Sequence, residues 1–304
     1  MNNPAITISQ ETKFKTGAKK ARVIKTIAVF VILVGFALMV LVPFYLIFIT
    51  SFKDRVEADS PLFSWWPQQG FYWRAYDLIL FRDPTGGQAG FSIVLRGFIN
   101  TLIVVIPPTL LGLFTSALSG YAFAKMRFPF KKTLFTILLF TMMIPGIIMM
   151  FPAYFIWAEL GFIDTYIPLM VPGMFGAAAA VFFLRQFFYS IPTELVESAK
   201  IDGKSHWGIF WSIMVPLSGG ALIAQGVLGF VGGYNDFMGP LLYLRTVEAF
   251  TLQLALHTFV GTHGGIDLPA VAAGTVIALV PVLILYLLAQ RFFIEGIATT
   301  GLKV

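Results

Sequence analysis

Glu197, Ser198 and Ala199 are followed after three residues by Gly203, and after nine more by Ile213 and Val215-Pro216. All lie in a polar stretch, PTELVESAKIDGKSHWGIFWSIMVP, that runs from Pro192 to Pro216 between long apolar runs. Pro192 suits the first turn of a helix, Glu194 and Glu197 favour its positive end, and Asp202-Gly203 ends it. Leu195, Val196 and Ala199 then share one face, where the small Ala199 permits close approach. Ser205 can cap a second helix, in which Trp207, Phe210, Trp211 and Met214 fall at i, i+3, i+4 and i+7. The pattern predicts helix, sharp turn, helix, ending at Pro216. Such a unit either lies flat on lipid or docks into a partner. Charges on both sides of the first helix's apolar patch, with a turn glycine behind it, fit a protein groove better.

Other chemistry is thin. No GxxxxGK[ST] loop is present, so the chain is not expected to hydrolyse ATP. His206, His257 and His263 lack metalloprotease spacing and read as surface histidines, and GTHGG (261–265) reads as a loop turn. No serine sits in a G-x-S-x-G elbow. The chain has no cysteine, which removes disulfides, thiolate metal sites and thiol nucleophiles. The expectation is a chain that is not an enzyme and holds no metal or cofactor of its own. Ionisable groups inside apolar spans are costly and usually functional. Asp236, with Asn235 and Tyr234, is the main candidate, and two readings stay open. The trio either lines a polar pathway for a hydroxylated solute or braces a broken helix end. Gln225 and Thr275 are weaker candidates, and no second intramembrane charge pairs with Asp236 to form an ion relay.

The elements that must position these residues are membrane spans. The chain has 304 residues, 58% of them hydrophobic and 12% charged, with a mean hydropathy of +0.83. An ordinary soluble domain carries roughly twice that charge fraction. Six apolar runs, at about 27–50, 99–123, 133–158, 167–188, 217–243 and 269–293, reach or approach the length that crosses a bilayer. Each is expected to be helical, because backbone polar groups cannot face lipid unpaired. Lys and Arg gather in the N-terminal tail (1–26), in 124–132, in 185–216 and near the C-terminus. Only Lys53, Arg55, Arg74, Arg82, Arg96 and Arg245 fall elsewhere. By the positive-inside rule both termini and the Pro192–Pro216 loop are cytoplasmic, and the net charge of +6 does not indicate nucleic acid. The tail 1–26 reads as flexible or amphipathic. The external loop 51–97 is dense in aromatics (Phe63, Trp65, Trp66, Phe71, Tyr72, Trp73, Tyr76) and reads as packed on the helices or as a partner surface. Pro43, Pro107-Pro108, Pro145, Pro152, Pro172 and Pro281 predict kinked helices around a cavity, and Gly229, Gly232 and Gly233 permit close contact or unwinding.

The loop resembles the EAA loop of binding-protein-dependent ABC importer permeases: EAA, three residues, G, nine residues, I, one residue, LP. Ser198 and Val215 are the departures. GYAFAKMRFPFKK (120–132), MIPGIIMMFPAYFIWAELGFIDT (143–165), FFLRQFFYSIPTEL (182–195) and YNDFMGPLLYL (234–244) are similar to the carbohydrate-uptake permeases. TSFK (50–53) and the tail GIATTGLKV (296–304) resemble the maltose-type G permease.

The resemblance implies an all-α type I importer permease of six spans, multi-pass in a bacterial or archaeal plasma (inner) membrane. It implies a tail (1–26) followed by a permease domain (27–304), whose coupling loop spans about 190–216 and whose C-terminal tail spans about 294–304. Its partners would be two copies of an ABC ATPase that bind ATP and Mg, a second F-type permease and an external solute-binding protein. The coupling residues would be Glu194, Glu197, Ser198, Ala199, Asp202, Gly203, Trp207 and Pro216. Thr300, Gly301 and Lys303 would reach the ATPase. The implied solute is a sugar, a di- or oligosaccharide, with glycerol 3-phosphate or another polyol as alternative. In the maltose-type importers the solute is held largely by the companion permease. An ion-coupled transporter or a membrane enzyme finds no matching constellation here.

Overall fold

The computed structural model describes residues 4–62, 64–81, 92–260 and 266–301, with side chains described over 22–62, 64–81, 92–260 and 266–292. Apart from one isolated antiparallel bridge, Val260 to Ile266, the described residues form only helices and loops. The order is α1 (Pro4–Thr50), α2 (Arg55–Ala58), α3 (Arg74–Phe81), α4 (Ile93–Lys125), α5 (Lys131–Thr141), α6 (Gly146–Glu159), α7 (Ile167–Met174), α8 (Ala178–Ser190) and α9 (Thr193–Ile201). Then come α10 (His206–Ile209), a π-helical turn (Phe210–Met214), α11 (Val215–Leu217), α12 (Gly219–Tyr234), α13 (Met238–Tyr243), α14 (Leu252–His257) and α15 (Leu268–Gly301).

Four stretches are long and apolar enough to cross a membrane: Arg22–Thr50, Ile93–Lys125, Ile167–Ser190, which is jointed at residues 175–177 between α7 and α8, and Leu268–Phe292. Two bent pairs raise the number to six: α5 with α6 at 94°, and His206–Leu217 with α12 at 82°. The expected spans at 133–158 and 217–243 are therefore broken. At the first break Pro145 has no N–H to donate and is itself extended (ψ 125), so α6 starts afresh after it. At the second, Ser218 is followed by Gly219-Gly220, and α12 has only 16 residues before a further break at Asn235–Phe237. The N-terminal helix also differs from expectation. It starts at Pro4 and runs unbroken to Thr50, with proline at a first-turn position where its missing N–H costs nothing.

At the centre lies α4, whose 33 residues extend for about 50 Å. It packs against α7, α8, α12 and α14, and α15 closes the bundle against α12, α1 and α3. One buried cluster sits near the start of α4, where Ile93 and Val94 meet Ile79, Tyr234, Leu252, Ala255 and Ala273. A second sits near its end, where Ala117 and Tyr121 meet Leu184, Phe188, Val196, Ile209 and Phe210. Pro107 and Pro108 lie between these clusters without interrupting the helix. By contrast, none of the most apolar stretch of α1 is buried. Apolar side chains facing outward all round mark a helix made for lipid or for another chain.

The segment after α1 folds back on the bundle. Phe52 is buried, with its ring 5.4 Å from Phe71, 5.0 Å from Trp73 and 5.2 Å from Tyr76. Glu57 accepts from Gln68 N–H at 3.0 Å and from the Ser64 hydroxyl at 2.9 Å, while Lys53 Nζ donates to Ser64 O at 2.7 Å. Trp65, Trp66 and Trp73 remain exposed on this packed base. Phe63 lies outside the described residues.

Candidate coupling loop and translocation cavity

The helix–turn–helix begins where α4 ends. Lys125 Nζ donates to Ile191 O at 2.5 Å and to Thr193 Oγ1 at 3.2 Å, pinning the start of α9 to the end of α4. Helix α9 turns Val196 and Ala199 inward, into the cluster with Phe188, Ile209 and Phe210. Ala199 therefore lets α9 approach the bundle closely, and Leu195, which is exposed, does not share its face. The outward surface consists of Thr193, Glu194, Leu195, Glu197, Ser198, Lys200, Ile201 and Asp202, with Ile201 87% exposed.

The turn ends α9 with paired bonds, Gly203 N–H to Lys200 O at 3.0 Å and Lys204 N–H to Ala199 O at 2.9 Å. Gly203 has φ +79, and a β-carbon there would meet nothing within 4 Å. Glycine is needed for the left-handed backbone, not for space. Ser205 Oγ then accepts from Gly208 N–H at 3.2 Å and caps α10. His206 Nδ1 lies 3.0 Å from the Tyr121 hydroxyl, a second tie to α4.

The π turn at Phe210–Met214 shifts the predicted stripe. Ile209, Phe210 and Met214 are buried, whereas Trp207 and Trp211 are about half exposed. Both indoles still flank Phe114 of α4, at ring distances of 6.2 and 6.0 Å. An inserted residue widens one turn and re-aims the side chains beyond it. Pro216 is exposed in α11, two residues before the bend at Ser218.

A cavity of about 260 Å³ lies between α4, α7 and α12. Val105, Pro108, Gly112 and Ser116 of α4 form one wall, and Gly229, Gly233 and Gln225 of α12 form another. Asp236 and Thr251 also line it. Ser116 Oγ and Thr251 Oγ1 are fully buried and hydrogen-bond to no other group among the described residues. Ser116 is 0% and Thr251 3% exposed, so both hydroxyls lie behind the cavity wall and not on its surface.

The three path candidates separate. Tyr234 is buried and donates its hydroxyl to Ala278 O at 2.9 Å, so its ring braces α12 against α15 away from the cavity. Asn235 Nδ2 donates to Val231 O at 2.9 Å, back onto its own helix. Only Asp236 faces the cavity, and it also accepts from Gly239 N–H at 3.2 Å to start α13. Bracing and lining are thus divided among neighbours. Gln225 lines the cavity, while Thr275 spends its hydroxyl on Val271 O. His257 packs on Phe237. Thr300 and Gly301 end α15, and Lys303, His263 and the GTHGG turn lie outside the described residues.

Sequence reading did not identify Asp164. Its φ is +62, and it accepts from Arg245 N–H at 2.8 Å, from Thr246 N–H at 2.9 Å and from the Thr246 hydroxyl. The Thr246 hydroxyl, then the two backbone donors, hold its carboxyl below the usual range. This joins the α6–α7 loop to the segment after α13. Among the described residues no group of three acidic or histidine side chains is placed to hold a metal ion.

The family model described as binding-protein-dependent transport system inner membrane component matches residues 109–296. The arabinooligosaccharides transport system permease protein AraQ of Bacillus subtilis is 35% identical over 214 residues, covering 70% of this chain and 75% of AraQ. The sn-glycerol-3-phosphate transport system permease protein UgpE of Yersinia pestis is 29% identical over 261 residues, covering 86% and 91%. The lactose transport system permease protein LacG of Rhizobium radiobacter is 31% identical over 199 residues, covering 66% and 72%. In fold, the chain superposes with a TM-score of 0.75 on a chain of a bacterial ABC transporter involved in importing the acidic polysaccharide alginate. That match is 22% identical and covers 89% of this chain and 96% of the other. The chain belongs to this family: it is an all-helical, multi-pass inner-membrane permease component of a binding-protein-dependent ABC importer, without catalytic activity of its own.

Proposed function

We propose that this chain is a maltose-type G permease. It forms half of a sugar pathway with an F-type companion, above two copies of an ATPase that bind ATP and Mg and below an external binding protein. The observation that carries the reading is the build of α9. Val196 and Ala199 anchor it to the bundle while Leu195 and Ile201 present apolar surface among Glu194, Glu197, Ser198 and Asp202. With the inner face of α9 already buried, Leu195 and Ile201 are the apolar surface that α9 leaves for a partner to cover.

The coupling follows from the ties already described. Lys125 and His206 connect the two ends of the α9 turn to α4, and the α10–α11 stretch leads through Ser218 into α12. Helices α4 and α12 are opposite walls of the cavity. A partner that moves α9 on closing therefore moves both walls. It shifts the transport cycle only by binding inward- and outward-facing arrangements with different affinity. The tail residues Thr300, Gly301 and Lys303 are assigned to the ATPase on the family resemblance. The solute is a di- or oligosaccharide, as for the relatives that carry arabinose oligosaccharides or lactose, with glycerol 3-phosphate as the second reading.

The test is affinity purification of the tagged chain from cells that express its neighbouring transport genes. Recovery of an ATPase, a second permease and ATP-dependent uptake in vesicles is expected. Uptake that persists without any ATPase would overturn the proposal.

A further inference from the structure

We propose that the cations gathered where α4, α5 and α8 reach the cytoplasmic side, Lys125, Lys131 and Arg185, hold the headgroup of an anionic phospholipid of the inner leaflet. The site is separate from the cavity and from the outward surface of α9.

The charges are packed together without a counter-ion. Lys125 Nζ and Arg185 Cζ lie 5.9 and 5.7 Å from the centre of one ring, that of Tyr189. Arg185 also covers the Phe135 ring at 4.0 Å, and Lys131 stands one helical turn before Phe135 in α5. Each cation is held by a neutral backbone oxygen: Lys125 by Ile191 O at 2.5 Å, Lys131 by Met126 O at 2.8 Å, and Arg185 Nε by Phe123 O at 3.4 Å. Carbonyls fix these side chains in place but cancel none of their charge. Lys has three N–H donors and Arg five, so each keeps at least one that no described group takes up. Arg127 and Lys132 flank the cluster and are exposed. None of these five residues forms an ion pair among the described residues. Glu194, at the start of α9, is the acid whose charge reaches Lys125, and it does not close onto it. Like charges held this close repel one another, and an anion between them removes the repulsion.

The surroundings select a lipid over a soluble anion. In RFPFKK (127–132) Phe130 is 77% exposed between Arg127 and the two lysines, on a left-handed backbone with φ +58 that few non-glycine residues adopt. Phe130, Leu134 and Ile137 follow at helical spacing, and all three are exposed. They form an apolar stripe that runs from the cations along α5 into the span. An acyl chain laid on that stripe brings its phosphate to Lys131. Aromatic rings at the boundary and basic pockets between cytoplasmic span ends are the usual setting for such a headgroup. A free phosphate ion would have no use for the stripe.

The chain has no cysteine, so Thr133→Cys, exposed and two residues past Lys131, gives it a single thiol for a bimane label. The assembled importer would be placed in nanodiscs containing spin-labelled phosphatidylglycerol or spin-labelled phosphatidylcholine with the same chains, and the signal of the assembly without the added cysteine subtracted. Phosphatidylglycerol is expected to quench at a mole fraction about fivefold lower or less, the factor that one basic residue supplies at an anionic surface. Lys131→Gln with Arg185→Gln should abolish the preference. Arg185→Lys, which keeps the charge and loses the stacked plane, should retain it. Arg127→Gln with Lys132→Gln changes only exposed side chains and should weaken it in part; should the first pair fail to assemble, this pair carries the same test. Inorganic phosphate, at an ionic strength matched with chloride, should leave the preference in place. Equal quenching by the two lipids, or a preference that survives the neutral variants, would overturn the site. So would loss of the preference in inorganic phosphate, which would mark a soluble-anion site, or quenching by neither lipid, which would mean that a protein partner covers this face. None of these results touches the importer reading, which fails separately if the unmodified assembly shows no ATP-driven uptake.

Discussion

Gly112 of α4 and Gly173 of α7 meet backbone to backbone: a β-carbon on Gly112 would lie 2.3 Å from the Gly173 carbonyl oxygen. Nothing at that distance is the movable end of a side chain, so even alanine must push the helices apart. Small residues at such crossings let spans approach closely. Gly112→Ala is expected to cost about 1–3 kcal/mol by overpacking and to distort the cavity wall. Thermal unfolding in detergent checks it. Gly146→Ala is the control, because a β-carbon there meets nothing within 4 Å; it should shift stability by about 0.5 kcal/mol or less. Equal effects at both positions would show that the crossing is not tight.

At Gly203 the constraint is the opposite one, a left-handed backbone in open space. Non-glycine residues pay about 1–2 kcal/mol there, asparagine and aspartate least. Asparagine is thus expected to be the best tolerated replacement and valine the worst. Gly203→Asp adds a negative charge beside Asp202 at the carboxyl end of α9, where the helix dipole already disfavours it. The protein should insert normally but lose ATPase association or coupled uptake. Gly203→Asn with the same defect as Gly203→Asp would assign the effect to shape and not to charge.

Much of this loop was legible in the sequence, and the reasons differ residue by residue. Pro192, Asp202, Gly203 and Ser205 act through local backbone chemistry, so the limits of α9 and the cap of α10 follow from their order alone. Which face of α9 turns inward does not. Leu195 and Val196 are adjacent and both apolar, and only the position of Phe188 and Ile209 selects Val196 with Ala199. The π turn at Phe210–Met214 leaves no mark in an i, i+3, i+4 pattern, which groups Trp211 with Phe210 and Met214 although Trp211 is half exposed and they are buried. Pro145 was read as a kink, yet it begins a new helix at 94°. Ser116 carries no signal because hydroxyls in apolar helices usually bond to their own backbone, as Thr101 does to Gly97 O. That the Ser116 hydroxyl has no partner among the described residues is a tertiary fact.

Asp164 predicts a pH effect at the loop junction. Hydrogen bonds from the Thr246 hydroxyl and from the Thr246 and Arg245 amides hold its folded pKa below the ordinary 3.8. A depressed carboxylate contributes stability that is fully present above its unfolded pKa and is lost as pH falls through the folded value. The contribution is therefore complete at neutral pH and fades below about pH 4. Exchange of the Arg245 and Thr246 amides, followed by mass spectrometry at pH 7, should quicken in Asp164→Ala, which loses the acceptor and is strained at φ +62. Asp164→Asn keeps an acceptor and tolerates that backbone, so it should exchange more slowly than Asp164→Ala. Thermal stabilities of Asp164→Asn and the unmodified chain should converge as pH falls below the folded value. A difference that stays constant down to pH 3 would remove the carboxylate from the account.

The two faces of α9 should separate folding from coupling. Ile201 touches solvent over most of its surface, so Ile201→Asp is expected to change the chain's own stability by about 0.5 kcal/mol or less. The same change places a charge in the middle of the proposed docking surface, and a buried unpaired charge in an interface weakens binding severely. Copurified ATPase should fall sharply while the permease pair remains assembled. Val196→Ala does the reverse: its side chain is 2% exposed, and truncating it should cost about 1–3 kcal/mol of stability. Because the outward residues are unchanged, ATPase recovery per folded molecule should stay near normal. If Ile201→Asp retains the ATPase and Val196→Ala loses it, then the partner grips α9 through its inner face. The anchoring of Val196 and Ala199 beside Phe188 would then have to open during docking.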